Sequence, residues 1–156
     1  FFISFLLLIA CDEGVVSIQD NNDEISSQAF IDLLLSTDWQ IQEGYISGTK
    51  VIGNGKSISP LVNFEIDEQI TWIRFNKDAS VQMYFDATKQ TLSMQYEVGK
   101  EAKSMKISPG RGIQDFLQKE NWVLSDIDKT AQSFKMTFTE TVSGIPVTTE
   151  LLLVGI

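Results

Sequence analysis

The chain has 156 residues and a net charge of −9, and it contains no His and only one Cys. These counts exclude Ser-His-Asp and Cys-His catalysis, ordinary zinc sites and internal disulfides. The acidic residues are concentrated early, because residues 1–49 hold eight Asp or Glu and no Lys or Arg, whereas residues 50–156 hold 13 acidic and 12 basic residues. No basic face for nucleic acid is therefore expected. We expect a single domain without enzymatic activity, cofactor or metal.

An apolar run occupies residues 1–10 and ends at the single cysteine, Cys11. A membrane span needs about 20 residues, whereas the apolar part of a signal peptide has about 7–15. We expect the run to be the end of a longer export signal. Leu8-Ile-Ala-Cys11 resembles the lipobox of bacterial lipoproteins, which implies that residues 1–11 end a signal peptide and that Cys11 carries a lipid anchor. An ordinary cleaved signal and a transmembrane helix are the alternatives.

Residues 12–25 are polar and acidic, which is typical of a solvated tether. Asp12-Glu13 directly after the cysteine also resembles the surface-export signals of Bacteroidetes-type lipoproteins. These resemblances imply a lipid-anchored protein of the bacterial outer membrane, on its periplasmic side or at the cell surface.

The remaining residues, 26–156, predict one mainly β domain. A short helix is expected from Ser26 to Ser36, because Phe30, Leu33 and Leu34 recur at helical spacing. From Trp39 onward the apolar residues alternate with polar ones, which indicates half-buried strands. Residues 47–60 are also a candidate for a mobile lid.

Turns divide this region into about eight strands, or nine to ten if one hairpin adds its own. Asn54-Gly55 is a strong hairpin signal, and further turns are expected at residues 76–79 and 143–146. Residues 109–112 should end another strand, and residues 113–117 suggest a helical turn. A run of neighbouring antiparallel strands must protect its edges, so we predict an antiparallel up-and-down β-barrel.

A family resemblance supports this fold. Its features are the short helix, Trp39 at the head of the first strand, Phe75-Asn-Lys-Asp78 in a hairpin, Trp122-Val-Leu124 and a terminal pair of strands. Together they resemble the short bacterial lipocalin-like lipoproteins over residues 26–154. The resemblance implies a lipocalin-like barrel of about eight strands, with an interior that binds a ligand or is filled.

Large side chains at alternating positions are the candidates for the barrel interior. They pack a filled core or line a small apolar cavity, and both alternatives stay open at this stage. The possible cavity-lining residues are Trp39, Ile41, Tyr45, Met94, Tyr96, Trp122, Phe134, Met136 and Phe138.

Two further motifs give only weak indications of a binding site. Gly53-Asn-Gly-Lys-Ser57 fits a hairpin turn better than a phosphate-binding loop, because position 50 is Lys and Pro60 follows. The carboxylates of residues 65–68 and 126–128 are interpreted as solvated turns rather than calcium ligands.

The function expected is non-catalytic binding of a small apolar ligand or of an envelope protein. A carboxylate-based glycan hydrolase at the cell surface and a purely structural accessory subunit are the alternatives.

Overall fold

The structure is a computed structural model that describes residues 25–59, 69–86, 88–108 and 121–156. These residues form one short helix and ten strands, with a single 3-10 turn at Lys100–Ala102. The elements are α1 (Ser27–Leu34), β1 (Trp39–Ile46), β2 (Thr49–Gly53), β3 (Lys56–Ser57), β4 (Ile70–Phe75), β5 (Ser80–Phe85), β6 (Gln90–Val98), β7 (Ser104–Ser108), β8 (Trp122–Asp128), β9 (Ser133–Val142) and β10 (Ile145–Gly155).

The strands form a closed antiparallel barrel. Strands β4 to β9 each pair with the next strand along the chain, and β1 lies between β10 and β4 to complete a ring of eight. Strand β2 pairs with the second half of β1, and β3 pairs with β2. The predicted fold class, an up-and-down lipocalin-like barrel with a short N-terminal helix, is confirmed. Within the described ranges, no helix combines the length and the apolar character needed to cross a membrane.

The junction between β1 and β4 is completed by the β2–β3 turn. Only Trp39 of β1 pairs directly with β4, opposite Ile73. Farther along, Gly55 of the turn donates its backbone N–H to the carbonyl of Ile41 on β1 at 2.7 Å, and its own carbonyl accepts from Ile70 of β4 at 2.9 Å. The turn thus continues the hydrogen-bonded ladder where the two strands separate.

The predicted hairpin turns are present. Asn54 and Gly55 have φ values of 50° and 73°, and Ser143 and Gly144 have values of 52° and 80°. Two consecutive residues with positive φ are characteristic of two-residue hairpin turns, whose twist matches that of the flanking strands. Residues 76–79 connect β4 and β5, as the sequence predicts.

Helix α1 covers one end of the barrel, which we call the helix end. Ser26 caps the helix by accepting a hydrogen bond from the backbone N–H of Ala29 at 3.2 Å. Phe30 and Leu34 are fully buried against the barrel. The indole N–H of Trp39 donates to the carbonyl of Leu34 at 2.9 Å, which fixes the helix to the start of β1.

The described part of the candidate lid, residues 47–59, contains the β2–β3 hairpin, which pairs with β1. Val51 and Ile52 of β2 have no exposed surface. A strand with side chains this buried cannot move away without exposing the core, so β2 is not a mobile lid.

Several sequence predictions fall outside the described residues. They are the lipobox with Cys11, the tether up to residue 24, the carboxylates of residues 65–68, and the turn and helical segment between residues 109 and 117.

Candidate functional site

Most of the side chains predicted to point into the barrel are buried in its core. Seven belong to this group: Trp39, Ile41, Met94, Tyr96, Trp122, Phe134 and Met136. Tyr96 has 8% of its surface exposed and the other six have 0 or 1%. Such side chains contact protein atoms on every side and leave no room for a ligand beside them. This burial favours a filled core over a hollow barrel.

An aromatic cluster fills the helix end. The ring of Phe134 meets Phe30 of the helix edge to face at 5.1 Å and Trp39 at 4.9 Å. Edge-to-face pairs at this spacing add to the stabilisation from burial alone. The helix therefore completes the core at this end of the barrel.

Tyr96 also has a structural role. Its hydroxyl donates to the carbonyl of Asn76 at 3.2 Å, and its ring meets Phe75 edge to face at 5.0 Å. Burial, followed by the nearby charge of Asp78, raises the pKa of Tyr96 above its ordinary value. Tyr96 thus joins the β4–β5 hairpin to β6.

Tyr45 lies on the outer surface, which differs from the predicted alternation. The pairing of β1 with β10 shifts by one residue between Ile41 and Glu43. The shift turns Gly44 inward, where an added Cβ would lie 3.1 Å from the side chain of Leu151. Residues that follow the shift exchange faces. Tyr45 therefore does not face the barrel interior.

A small polar group surrounds Tyr45 on the outside. The carboxylate of Glu43 accepts from the Tyr45 hydroxyl at 2.9 Å and from the Lys50 ammonium at 2.6 Å. The hydrogen bonds from Lys50 and then Tyr45 lower the pKa of Glu43. The same carboxylate raises the pKa of Tyr45. This arrangement stabilises the outer surface of β1 and β2.

Phe138 lies at the end of the barrel opposite α1, which we call the far end. It is partly buried, packs against the core, and lies 5.9 Å from the ring of Trp122. Of the nine predicted interior side chains, it is the one that faces inward without being fully covered.

Beyond Phe138, strands β9 and β10 continue as a two-stranded projection, residues 139–148, which we call the far-end ribbon. In the described part of the chain, β8 pairs with β9 no farther than Thr137 and β1 pairs with β10 no farther than Thr149. A backbone hydrogen bond of 2.7 Å from Ser47 to Thr148 marks its base.

The two faces of the far-end ribbon differ in chemistry. The two-residue period places the apolar residues Val142, Ile145 and Val147 on the side that continues the barrel interior, together with one charged residue, Glu140. Val142 is 51% exposed and Ile145 is 65% exposed. The other side carries Thr139, Thr141, Pro146 and Thr148. The hydroxyl oxygens of Thr139 and Thr148 lie 3.0 Å apart.

The described carboxylates of β8 have local partners. Asp126 pairs with the ammonium of Lys135 at 2.7 Å, which raises the pKa of Lys135. Asp128 accepts from the backbone N–H groups of Thr130 and Ala131, both at 2.8 Å. Within the described ranges, no three His, Cys, Asp or Glu residues lie close enough together to bind a metal. Residues 126–128, predicted as a turn, form the end of β8, and Asp128 is hydrogen-bonded to the turn that follows it.

A polar cleft of about 450 Å³ opens at the helix end, between Leu35–Asp38 after α1 and Arg74–Lys77 at the end of β4. We call it the helix-end cleft. Arg74 donates to Asp38 through Nε at 2.7 Å and Nη2 at 2.6 Å. These hydrogen bonds, and then the charge of Asp38, raise the pKa of Arg74.

An aromatic stack on the outer surface supports Arg74. Its guanidinium lies 4.7 Å from the centre of the Trp72 ring, and Trp72 stacks on Tyr84 at 5.3 Å and 10°. A one-residue shift in pairing between Ile70 and Trp72 puts this indole on the outside.

Sequence reasoning missed this cleft, because Asp38 and Arg74 are 36 positions apart. The one available signal is a charged residue inside the apolar strand Ile70–Phe75.

No protein-family model and no curated protein sequence matches the chain. The functional argument therefore depends on the surfaces and contacts described above.

Proposed function

We propose that the chain is the non-catalytic binding domain of a lipid-anchored protein of the bacterial outer membrane, and that it binds another envelope protein. The far-end ribbon is the contact surface in this proposal. The observation that carries it is the exposure of Val142 and Ile145 on one face of a projection that no other described strand covers. Exposed apolar surface of this kind is typical of protein contacts.

The burial of the barrel interior supports binding on the outside. Trp39, Trp122 and Phe134 have no exposed surface, so a ligand in their place would have to displace packed side chains. The described carboxylates of β8 are held by Lys135 and by the turn after β8, which argues against the glycan hydrolase.

The lipid anchor rests on the resemblance of Leu8-Ile-Ala-Cys11 to a lipobox. A protein held at a membrane by acyl chains is concentrated beside other membrane-bound proteins, which strengthens a contact of modest area. In this proposal, Cys11 holds the protein at the membrane and the far-end ribbon, residues 139–148, contacts the partner.

A small apolar ligand is the second candidate. Phe138 is partly exposed at the far end, next to the apolar face of the ribbon. A ligand held between Phe138 and the ribbon would bury apolar surface without entering the packed core.

Site-specific photo-crosslinking in the bacterial envelope tests the protein partner. A photoreactive residue replaces Ser143 at the ribbon tip in the full chain, and the control carries it at Lys129, in the turn after β8. We expect a discrete cross-linked product from position 143 and none from position 129. Cross-linking at both positions would contradict a ribbon-specific contact.

Two matched substitutions sharpen the test. Ile145→Asp puts a charge on the apolar face and should reduce the cross-linked product by about fivefold or more. Thr141→Asp puts the same charge on the opposite face and should change it little. Equal effects would reject the ribbon surface.

Two further measurements separate the other parts of the proposal. Cys11→Ser should release the protein from the membrane fraction, and unchanged membrane association would reject the anchor.

Native mass spectrometry of residues 12–156 should show the mass of the protein alone, whereas a co-purified small molecule would support the second candidate.

A further inference from the structure

We propose that the helix-end cleft binds a small molecule that carries both a carboxylate and hydroxyl groups, such as a sugar acid. The cleft lies at the opposite end of the barrel from the far-end ribbon. This inference therefore does not depend on the proposed protein partner, and either can fail alone.

Arg74 supplies a donor that is held in place before any ligand arrives. Asp38 fixes its Nε and Nη2 atoms, and Trp72 lies against the guanidinium. The remaining nitrogen, Nη1, has no hydrogen-bond partner in the described part of the chain. A planar guanidinium of this kind is well suited to a carboxylate, and its fixed position lowers the entropy lost on binding.

The charge in the cleft favours an anion. Asp38 balances Arg74, and Lys77 adds a second positive charge from the neighbouring turn. Lys77 is exposed and has no ion-pair partner among the described residues. Among the residues that line the cleft, two positive side chains thus stand against one negative side chain. A carboxylate near Lys77 and Nη1 of Arg74 would balance the second positive charge.

The other wall offers one acceptor for a hydroxyl group. Thr37 donates its hydroxyl hydrogen to the main-chain oxygen of Ile156 at 2.7 Å, so its own oxygen remains as an acceptor for an O–H or N–H donor on the ligand. Ser36 is already used within the protein, because its hydroxyl donates to the carbonyl of Leu33 at 2.7 Å and accepts from the side-chain amide of Gln132 at 3.4 Å. A carboxylate alone would leave this wall unused.

The size and the apolar contacts of the cleft suit a single sugar ring. Its volume of about 450 Å³ lies within the usual range for small-molecule sites, about 300–1,000 Å³. Leu35, which is only partly buried, adds apolar surface for the carbon skeleton. Together these features favour a hydroxylated carboxylate over an inorganic anion.

An NMR titration of the full domain tests the assignment, with D-glucuronate as the probe and D-glucose as the neutral comparison. We expect glucuronate to shift the amide signals of residues 36–38 and 74–77 selectively, and glucose to shift them little. Shifts of equal size with both sugars would remove the role of charge, and no shifts in these segments would overturn the proposal.

A pair of variants provides the decisive comparison. Lys77→Gln should weaken glucuronate binding by about fivefold, because it removes the unbalanced positive charge of the cleft. Lys56→Gln removes the same charge from β3, outside the cleft, and should leave binding unchanged. If the two variants weaken binding equally, the effect comes from overall charge and the proposed site is wrong. The exposed position of Lys77 keeps this variant folded.

Discussion

Gly55 lies where the β2–β3 turn passes between β1 and β4. Its φ of 73° suits glycine, and an added Cβ would overlap the carbonyl oxygen of Ile70. That carbonyl belongs to backbone and cannot rotate away as a side chain would. Because Gly55 has no side chain, the turn can approach closely enough to hydrogen-bond to both strands.

We expect Gly55→Ala to lower the free energy of unfolding by more than about 3 kcal/mol, because left-handed strain and backbone overlap act together. Gly144→Ala is the matched control, since Gly144 has a φ of 80° and nothing within 4 Å of the added Cβ. It should cost only the conformational strain, about 1–2 kcal/mol. Urea unfolding measures both, and equal losses would show that the contact with Ile70 is unimportant.

At the scale of the element, α1 depends on the barrel and the barrel end depends on α1. An isolated helix of eight residues is marginal in water, where about 12–15 residues are needed. Packing of Phe30 against Phe134, and the hydrogen bond from Trp39 to Leu34, hold it in place. The hydroxyl of Ser27 adds a hydrogen bond of 2.7 Å to the carbonyl of Gly99.

Phe30→Ala should therefore destabilise the whole domain by about 3–5 kcal/mol, because it removes a fully buried ring and leaves a cavity beside Phe134. Asp32→Ala changes an exposed position of the same helix and should shift stability by no more than about 0.5 kcal/mol. Thermal unfolding followed by tryptophan fluorescence reports both. A loss of helix signal without loss of barrel stability would show that α1 docks independently.

The length of the far-end ribbon is also an element-scale property. Strands β9 and β10 have 10 and 11 residues, longer than the usual five or six, about 17–20 Å. The extra length is not paired with another described strand. The ribbon is therefore the surface that the proposed protein contact would use.

At the scale of the whole molecule, the dependence of stability on pH follows from surface groups held by hydrogen bonds and ion pairs. Hydrogen bonds from the side chain and then the backbone of Ser80 lower the pKa of Asp78, and Lys50 lowers that of Glu43. A lowered carboxyl pKa gives stability that is present above the unfolded value, about 4, and is lost as pH falls through the folded value. The raised pKa values of Tyr45 and Lys50 give stability that is lost only as alkaline pH passes their folded values.

Because residues 25–156 contain no His and no Cys, we expect a stability plateau from about pH 5 to 9. Urea midpoints measured across this range should stay level and fall on both sides. Asp78→Asn should make the decline below about pH 4 shallower. A marked change of midpoint between about pH 6 and 8 would contradict this assignment of titrating groups.

The local features of the fold were predictable because they depend on neighbouring residues. The helix from Ser27 to Leu34, the Asn54-Gly55 turn and the alternation in β9 each follow from short-range pattern. Local preferences at each element agreed with the barrel, which is the condition under which such reasoning succeeds.

The candidate sites were less predictable, because one-residue shifts in pairing change which face a side chain occupies. The shifts in β1 and β4 move Tyr45 and Trp72 to the outside. Gly44 was the available signal for the first, since a glycine at an inward position leaves space for Ile52 and Leu151. The ion pair of Asp38 with Arg74 depends on barrel closure and has no local signature.

The pairing of β1 with β10 joins the first strand of the barrel to the last. A chain that leaves the ribosome from its N-terminus cannot complete this ring until residues 145–155 have been synthesised. Until then β1 and β9 each keep an open edge that can pair with another polypeptide. Truncations within the final ten residues should therefore produce an incompletely folded, aggregation-prone species rather than a smaller stable barrel. Chaperones would have to protect the open strand edges until almost the whole chain has been synthesised.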